Sequence, residues 1–216
     1  MALVLLAAGC NERTPTPGHA AAPAPDSADA RPVIVFLGTS LTAGLGLDPS
    51  QAYPALIQQK LDSAGLAYRV VNAGVSGETS SDARARLAWL LRMNPAVLVV
   101  ETGANDGLRG LSVDALRANL DTILSVAQRH QPPPRLVVIG MQAPPNLGSR
   151  YTAGFRDVFP EEAASHDAAL VPFLLQGVGG VASLNQADGI HPTAAGQRVL
   201  AENVWVVLEK TLSARR

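Results

Sequence analysis

The chain has 216 residues, enough for one ordinary domain with a substantial core, and its 47% apolar content excludes disorder throughout. Seventeen basic side chains stand against eighteen acidic ones, a formal charge of -1. No basic cluster could follow a nucleic-acid backbone, which excludes nucleic acid as a partner.

The beginning of the chain differs from everything after it. Ala2 to Ala8 are apolar, but so short a run cannot cross a hydrocarbon core that needs roughly 20 helical residues. The run resembles the end of a bacterial lipoprotein signal peptide, which implies that Cys10 is lipidated and becomes the new N-terminus. Residues 1–9 are then a signal remnant, 10–31 a tether and 32–216 the folded domain. The tether is rich in Pro and Ala and poor in large apolar groups, so burial cannot offset its ordering entropy. The expected location is the cell envelope, lipid-anchored or periplasmic, with secretion as the alternative, and the only membrane contact is a lipid on Cys10. That cysteine is the only one, so the domain has no disulfide.

Next come short β-branched runs alternating with helical stretches. The first run, PVIVFLG, leads into GTSLTAG, which carries Ser40, and a helix is predicted over Tyr53 to Ala64. YRVVNAG passes into NAGVSGETS with Gly77, followed by a helix over Ser81 to Met93. AVLVVETG runs into ETGANDGLRG with Asn105. In the helix predicted over Val113 to Arg129, Val113, Leu116, Leu120, Ile123, Leu124 and Ala127 follow the three-and-four spacing, with Ser112 as N-cap. RLVVIGM and the weaker AALVPF complete five strands. ADGIHPT then precedes a last helix over Thr193 to Leu212, with Val199, Leu200, Val204, Val207, Leu208 and Leu212 inward. Near-continuous apolar strands are covered on both faces. Strand, helix, strand in repetition means right-handed parallel crossovers and a three-layer α/β/α sandwich. Such sheets bind ligands beyond the carboxyl ends of their strands.

Taken singly, each polar segment has a plain explanation as a turn or a helix cap. Asp188 and His191 say more, because a sharp turn at Gly189 can place both in one cleft. Histidine suits proton transfer near neutrality, and a carboxylate can fix its tautomer. A serine hydroxyl needs such a base to become nucleophilic, and the resulting oxyanion needs aimed donors. The chain has these parts: Ser40 to attack, His191 to take its proton, Asp188 to hold His191. The backbone N–H groups of Ser40 and Gly77, with the Asn105 amide, would form the oxyanion hole. A metal is not expected, since His19 lies in the tether, His130 and His166 end helices, and no His or Cys cluster has a familiar spacing.

Ser40, Gly77, Asn105 and His191, in that order and in those contexts, resemble the SGNH (GDSL) hydrolase family. GTSLTAGLGL, NAGVSGETS, GANDGLRG and DGIHP are similar to its blocks I, II, III and V. The likeness extends over Val33 to Leu212 and is greatest to the thioesterase I, lysophospholipase L1 and arylesterase branch. It implies the same triad and oxyanion donors, a flavodoxin-like sheet of order 2-1-3-4-5, and no cofactor. Block I departs from the family at Thr39, where an Asp is usual, so the rigidity of the loop is the open question. The Gly-x-Ser-x-Gly elbow of α/β-hydrolases is absent around Ser40.

The implied reaction is hydrolysis of small acyl esters or thioesters by a monomer. Leu41, Leu45 and Leu47 in the first loop, with Leu108 and Leu111 after GAND, supply apolar surface for a substrate groove. Arg109 is given no role. Two other readings stand beside this one. One is a carbohydrate O-deacetylase of the same fold, although Trp89 and Trp205 fall in predicted helices and are expected to pack in the core or at its edge. The other is a non-catalytic flavodoxin-like lipoprotein that binds a phosphate-bearing ligand or flavin, for which GTSLTAG lacks a P-loop lysine.

Overall fold

The computed structural model describes residues 29–214. The signal remnant, Cys10 and the tether as far as residue 28 lie outside the described residues. Arg31–Arg216 forms one unit. Its five strands are β1 (Val33–Gly38), β2 (Arg69–Gly74), β3 (Val97–Glu101), β4 (Arg135–Ile139) and β5 (Ala169–Val171). They are parallel and lie in the order β2-β1-β3-β4-β5. This is the order that the family likeness implies.

Seven helices complete the fold among the described residues: α1 (Ser40–Ala43), α2 (Tyr53–Ser63), α3 (Ser80–Leu91), α4 (Ala104–Leu108), α5 (Val113–Gln128), α6 (Ser149–Ser165) and α7 (Ala194–Ser213). From β1 to β2 the chain steps one way across the sheet, and from β2 onward it steps the other. With right-handed crossovers that reversal puts α2 on one face and α3, α5 and α6 on the opposite face. Accordingly α3 packs on α5 and α5 on α6, while α7 returns to pack beside α2. The central strands β1 and β3 are buried along their whole length, as two-sided cover requires, whereas the edge strand β2 is only half-buried.

The four long helices read from periodicity are present, within two residues at each end. Ser112 caps α5 by accepting from the Ala115 N–H at 3.3 Å. In α7, Leu200, Val204 and Leu208 are fully buried and Val199, Val207 and Leu212 half-buried. Helix α6 was not anticipated, because Gly154 and Pro160 interrupt its pattern. Pro160 faces solvent, where the carbonyl it leaves unpaired can be hydrated. Phe155, Val158, Phe159 and Ala163 bury the other side of this helix.

Candidate active site

β1 ends at Gly38 and α1 begins at Ser40, so the chain turns from strand to helix at Thr39. A carboxyl group fixes this turn from beneath. Glu101, the last residue of β3, accepts from the Thr39 N–H at 2.7 Å, the Thr39 hydroxyl at 2.9 Å and the Thr42 hydroxyl at 2.8 Å. The Thr42 Oγ1 also lies 2.7 Å from the Tyr53 hydroxyl. All four residues are buried, Glu101 to 1% exposure. Desolvation raises the Glu101 pKa, and the hydrogen bonds from Thr39 and Thr42 oppose that rise. Only a glycine fits at position 38, because a Cβ there would lie 2.0 Å from Thr42 Oγ1 and 2.9 Å from Glu101 Oε2. Thr39 therefore holds its loop without a carboxylate of its own, on one supplied by β3. Sequence reading missed Glu101, although an acid inside the apolar run AVLVVE was a signal that it had a buried task.

His191 lies in the loop before α7. Its Nε2 is 2.9 Å from Ser40 Oγ, across 151 residues of sequence, and its Nδ1 is 2.7 Å from Asp188 Oδ2. The other Asp188 oxygen accepts from the Ile190 and His191 N–H groups, both at 3.0 Å. The hydrogen bond from the His191 side chain, then those backbone donors, lower the Asp188 pKa to about 2. Two glutamines secure the surroundings. Gln186 Nε2 donates to Leu45 O at 2.7 Å and to Pro192 O at 3.0 Å. Gln197, buried in α7, donates to Leu41 O at 3.2 Å and accepts from the Tyr53 N–H at 2.8 Å. Neither glutamine stood out in the sequence, since an amide in a loop or helix carries no periodic signal.

Gly77 follows β2 with φ +84°, which favours glycine. Among the described residues, the backbone N–H groups of Ser40 and Gly77 donate to no other protein group. Asn105, in the first turn of α4, gives one amide hydrogen to Glu78 O at 2.8 Å and has a second to offer. The segments carrying these donors are cross-braced. Buried Asp106 accepts from the Ser80 N–H at 2.8 Å and the Ser80 hydroxyl at 2.6 Å, tying α4 to the start of α3. Arg86 joins Glu78 to Gly38 O, with bonds of 2.7 and 3.2 Å. Arg109, left without a role in the sequence, donates to Gly77 O at 3.0 Å.

Ser40, Gly77, Asn105 and His191 share one cavity of about 560 Å³ at the carboxyl end of the sheet. Of the leucines expected in a groove, Leu41, Leu45 and Leu108 line it. Leu111 does not line it, which corrects that expectation, and neither does Leu47. The Leu111 carbonyl accepts from the Tyr151 hydroxyl of α6 at 2.7 Å, and that bond ties the end of the GLRGL segment to α6. In their place Met141, Phe173, Leu175 and Ile190 extend the apolar wall. Neither tryptophan lines the cavity, and Trp89 is exposed on α3. Among the described residues, the only group of three possible metal ligands is Asp121, Glu162 and His166, none of which lines the cavity.

The arrangement suits acyl transfer through a serine, and comparison with known proteins agrees. The model of the GDSL-like lipase/acylhydrolase family matches residues 36–199. Esterase TesA of Pseudomonas aeruginosa is 46% identical over 180 residues, 83% of this chain and 89% of the relative. Thioesterase 1/protease 1/lysophospholipase L1 of Escherichia coli K12 is 37% identical over 176 residues, 81% of this chain and 82% of the relative. The crystal structure of TesA superimposes with a TM-score of 0.79, covering 84% of this chain and 99% of the other.

Proposed function

The chain belongs to the GDSL-like lipase/acylhydrolase family and hydrolyses ester or thioester bonds, and on that premise we propose that Ser40 is its nucleophile, His191 its general base and Asp188 the orienter of His191. The supporting observation is the continuous hydrogen-bonded chain from Ser40 through His191 to Asp188, opening into an apolar cavity. As Ser40 Oγ attacks the acyl carbonyl, its proton passes to His191 Nε2 and negative charge collects on the carbonyl oxygen. The Ser40 and Gly77 N–H groups and the free amide hydrogen of Asn105 receive that charge. His191 then returns the proton to the departing alcohol or thiol, leaving an acyl-serine. Water, deprotonated by His191, releases the acid and restores Ser40.

A pocket of this size and lining accommodates an acyl chain or an aryl group. The same apolar lining, free of tryptophan, favours acyl esters over sugar acetates. The triad would be unexplained in a protein that only bound a phosphate-bearing ligand. We place the enzyme in the bacterial cell envelope, on the strength of the leader-like residues, with a lipid on Cys10 as its anchor.

Ser40→Ala should abolish hydrolysis of para-nitrophenyl acyl esters while Tm stays within a few degrees. A phosphonate ester should add covalently to the wild type, and peptide mass spectrometry should find the adduct on Ser40. Retained turnover in the variant, or an adduct elsewhere, would remove Ser40 from the nucleophile's place.

A further inference from the structure

Helices α5 and α6 bring a second set of reactive side chains together. Asp121 comes from α5, Glu162 from the last turn of α6 and His166 from the residue that caps it, and their donor atoms all lie within 4.8 Å of one another. Glu162 and His166 are four residues apart, a spacing that puts two ligands on one helical face. His166 Nε2 is 2.9 Å from Asp121 Oδ1 and 3.7 Å from Glu162 Oε2. Glu162 and His166 are 7% and 9% exposed, while Asp121 is exposed and opens the group to solvent.

Residues outside the group fix the histidine tautomer. The Gln128 amide nitrogen donates to His166 O at 2.8 Å, so the Gln128 oxygen is the atom that faces His166 Nδ1 at 2.9 Å. That oxygen only accepts, hence Nδ1 carries the hydrogen. Nε2 is then the ring atom that faces two carboxylate oxygens, and a cation held between the three would be bound by all of them. An outer partner fixing the far nitrogen of a histidine is the arrangement found around metal-ligating imidazoles. The local charge points the same way. Arg117 pairs with Glu161 Oε2 at 2.6 Å and with Glu162 Oε1 at 3.3 Å, which leaves Glu162 Oε2 for His166. Three carboxylates against one guanidinium leave two negative charges, the amount a divalent ion balances. Tetrahedral bonds of 2.0–2.1 Å set ligand atoms ~3.3 Å apart; the two separations seen here bracket that value.

We infer that Asp121, Glu162 and His166 bind a divalent transition ion of the zinc type, with water as fourth ligand, and that the ion fastens α5 to the end of α6. One nitrogen and two carboxylate oxygens suit zinc better than the harder calcium or magnesium. The site takes no part in ester hydrolysis.

The test is titration of chelator-treated enzyme with zinc chloride, followed by calorimetry and thermal unfolding. One equivalent should bind, and Tm should rise by about 5–10 °C at a hundredfold excess over Kd. His166→Gln should abolish the rise, and Asp121→Asn, a change at an exposed position, should weaken binding at least tenfold. His191→Ala should keep both the binding and the rise, which excludes zinc held by the catalytic histidine. If His166→Gln fails to fold, Asp121→Asn alone decides. Equal zinc binding by Asp121→Asn and the wild type overturns the site. So does a wild type that takes up no zinc, and the three side chains then only hydrogen-bond one another.

Discussion

Ser40 and His191 meet at 2.9 Å, yet the two sides of that contact are built differently. On the Ser40 side, Thr39, Thr42, Tyr53 and Glu101 form a buried hydrogen-bonded block at the ends of β1 and β3. On the His191 side, a loop reaches over the sheet, its Asp188 side chain is 46% exposed, and Gln186 ties it to Leu45. The buried block shares its packing with the core, so damage to it should appear in stability as well as in rate. The exposed loop can lose its chemistry and leave the fold alone.

Asp188→Asn tests the loop side most severely. It should lower kcat by about 10⁴, through a wrongly held imidazole, with Tm falling by no more than a few degrees in thermal unfolding. A large fall in Tm would mean that the loop belongs to the core after all. Asn105→Ala, on the braced side, should cost roughly 100- to 1,000-fold in kcat if its amide receives the oxyanion. Steady-state kinetics with a para-nitrophenyl ester measures this, and an unchanged kcat removes Asn105 from the hole. Glu101→Leu should act on both quantities. It leaves the Thr39 N–H, the Thr39 hydroxyl and the Thr42 hydroxyl without their Glu101 acceptor, at about 1–3 kcal/mol for each buried group left unpaired. Urea unfolding should register that loss along with a smaller fall in kcat, and full stability would show that the block relaxes onto other partners.

The smallest effect concerns pH. The folded-state pKa of Asp188, about 2, is below its ordinary value of 3.8, so its ionised form contributes stability above pH ~4 that fades as pH falls through 2. Urea midpoints between pH 2 and 5 should decline slightly more steeply for the wild type than for Asp188→Asn. Parallel curves would mean that the His191 contact does not hold the carboxylate in solution.

Much of the fold was legible because buried parallel strands and amphipathic helices leave strong periodic marks; Val97–Val100 and the stripe from Leu116 to Ala127 are examples. The candidate site was legible because its four segments keep fixed local contexts. What escaped depends on three dimensions. Glu101 looks like a polar accident at a strand end until Thr39 and Thr42 are placed above it. Gln186 and Gln197 act through contacts more than 140 residues away in sequence. Leu111 was assigned to the groove by its nearness to Leu108, but it does not line the cavity, and its carbonyl is held by Tyr151 of α6. Helix α6 was hidden by Pro160, which costs a helix interior ~3 kcal/mol through a lost hydrogen bond and a crowded carbonyl; only the structure shows the buried face of Phe155, Val158 and Phe159 that the helix packs inward.

The cavity wall also bears on how the enzyme spends its grip on substrate. Leu45, Leu108 and Ile190 line the pocket and are each at least 45% exposed, so much of their apolar surface is wet at the rim. An acyl tail lying on them sheds water from both surfaces, at ~0.8 kcal/mol per methylene, or about fourfold in affinity. That gain is expected to be the same before and at the transition state, because apolar contact with a tail does not follow the charge that develops at the carbonyl. With Ser40 as the proposed nucleophile, chain length is expected to show in KM, and kcat to answer to the buried block and the loop that face each other across Ser40.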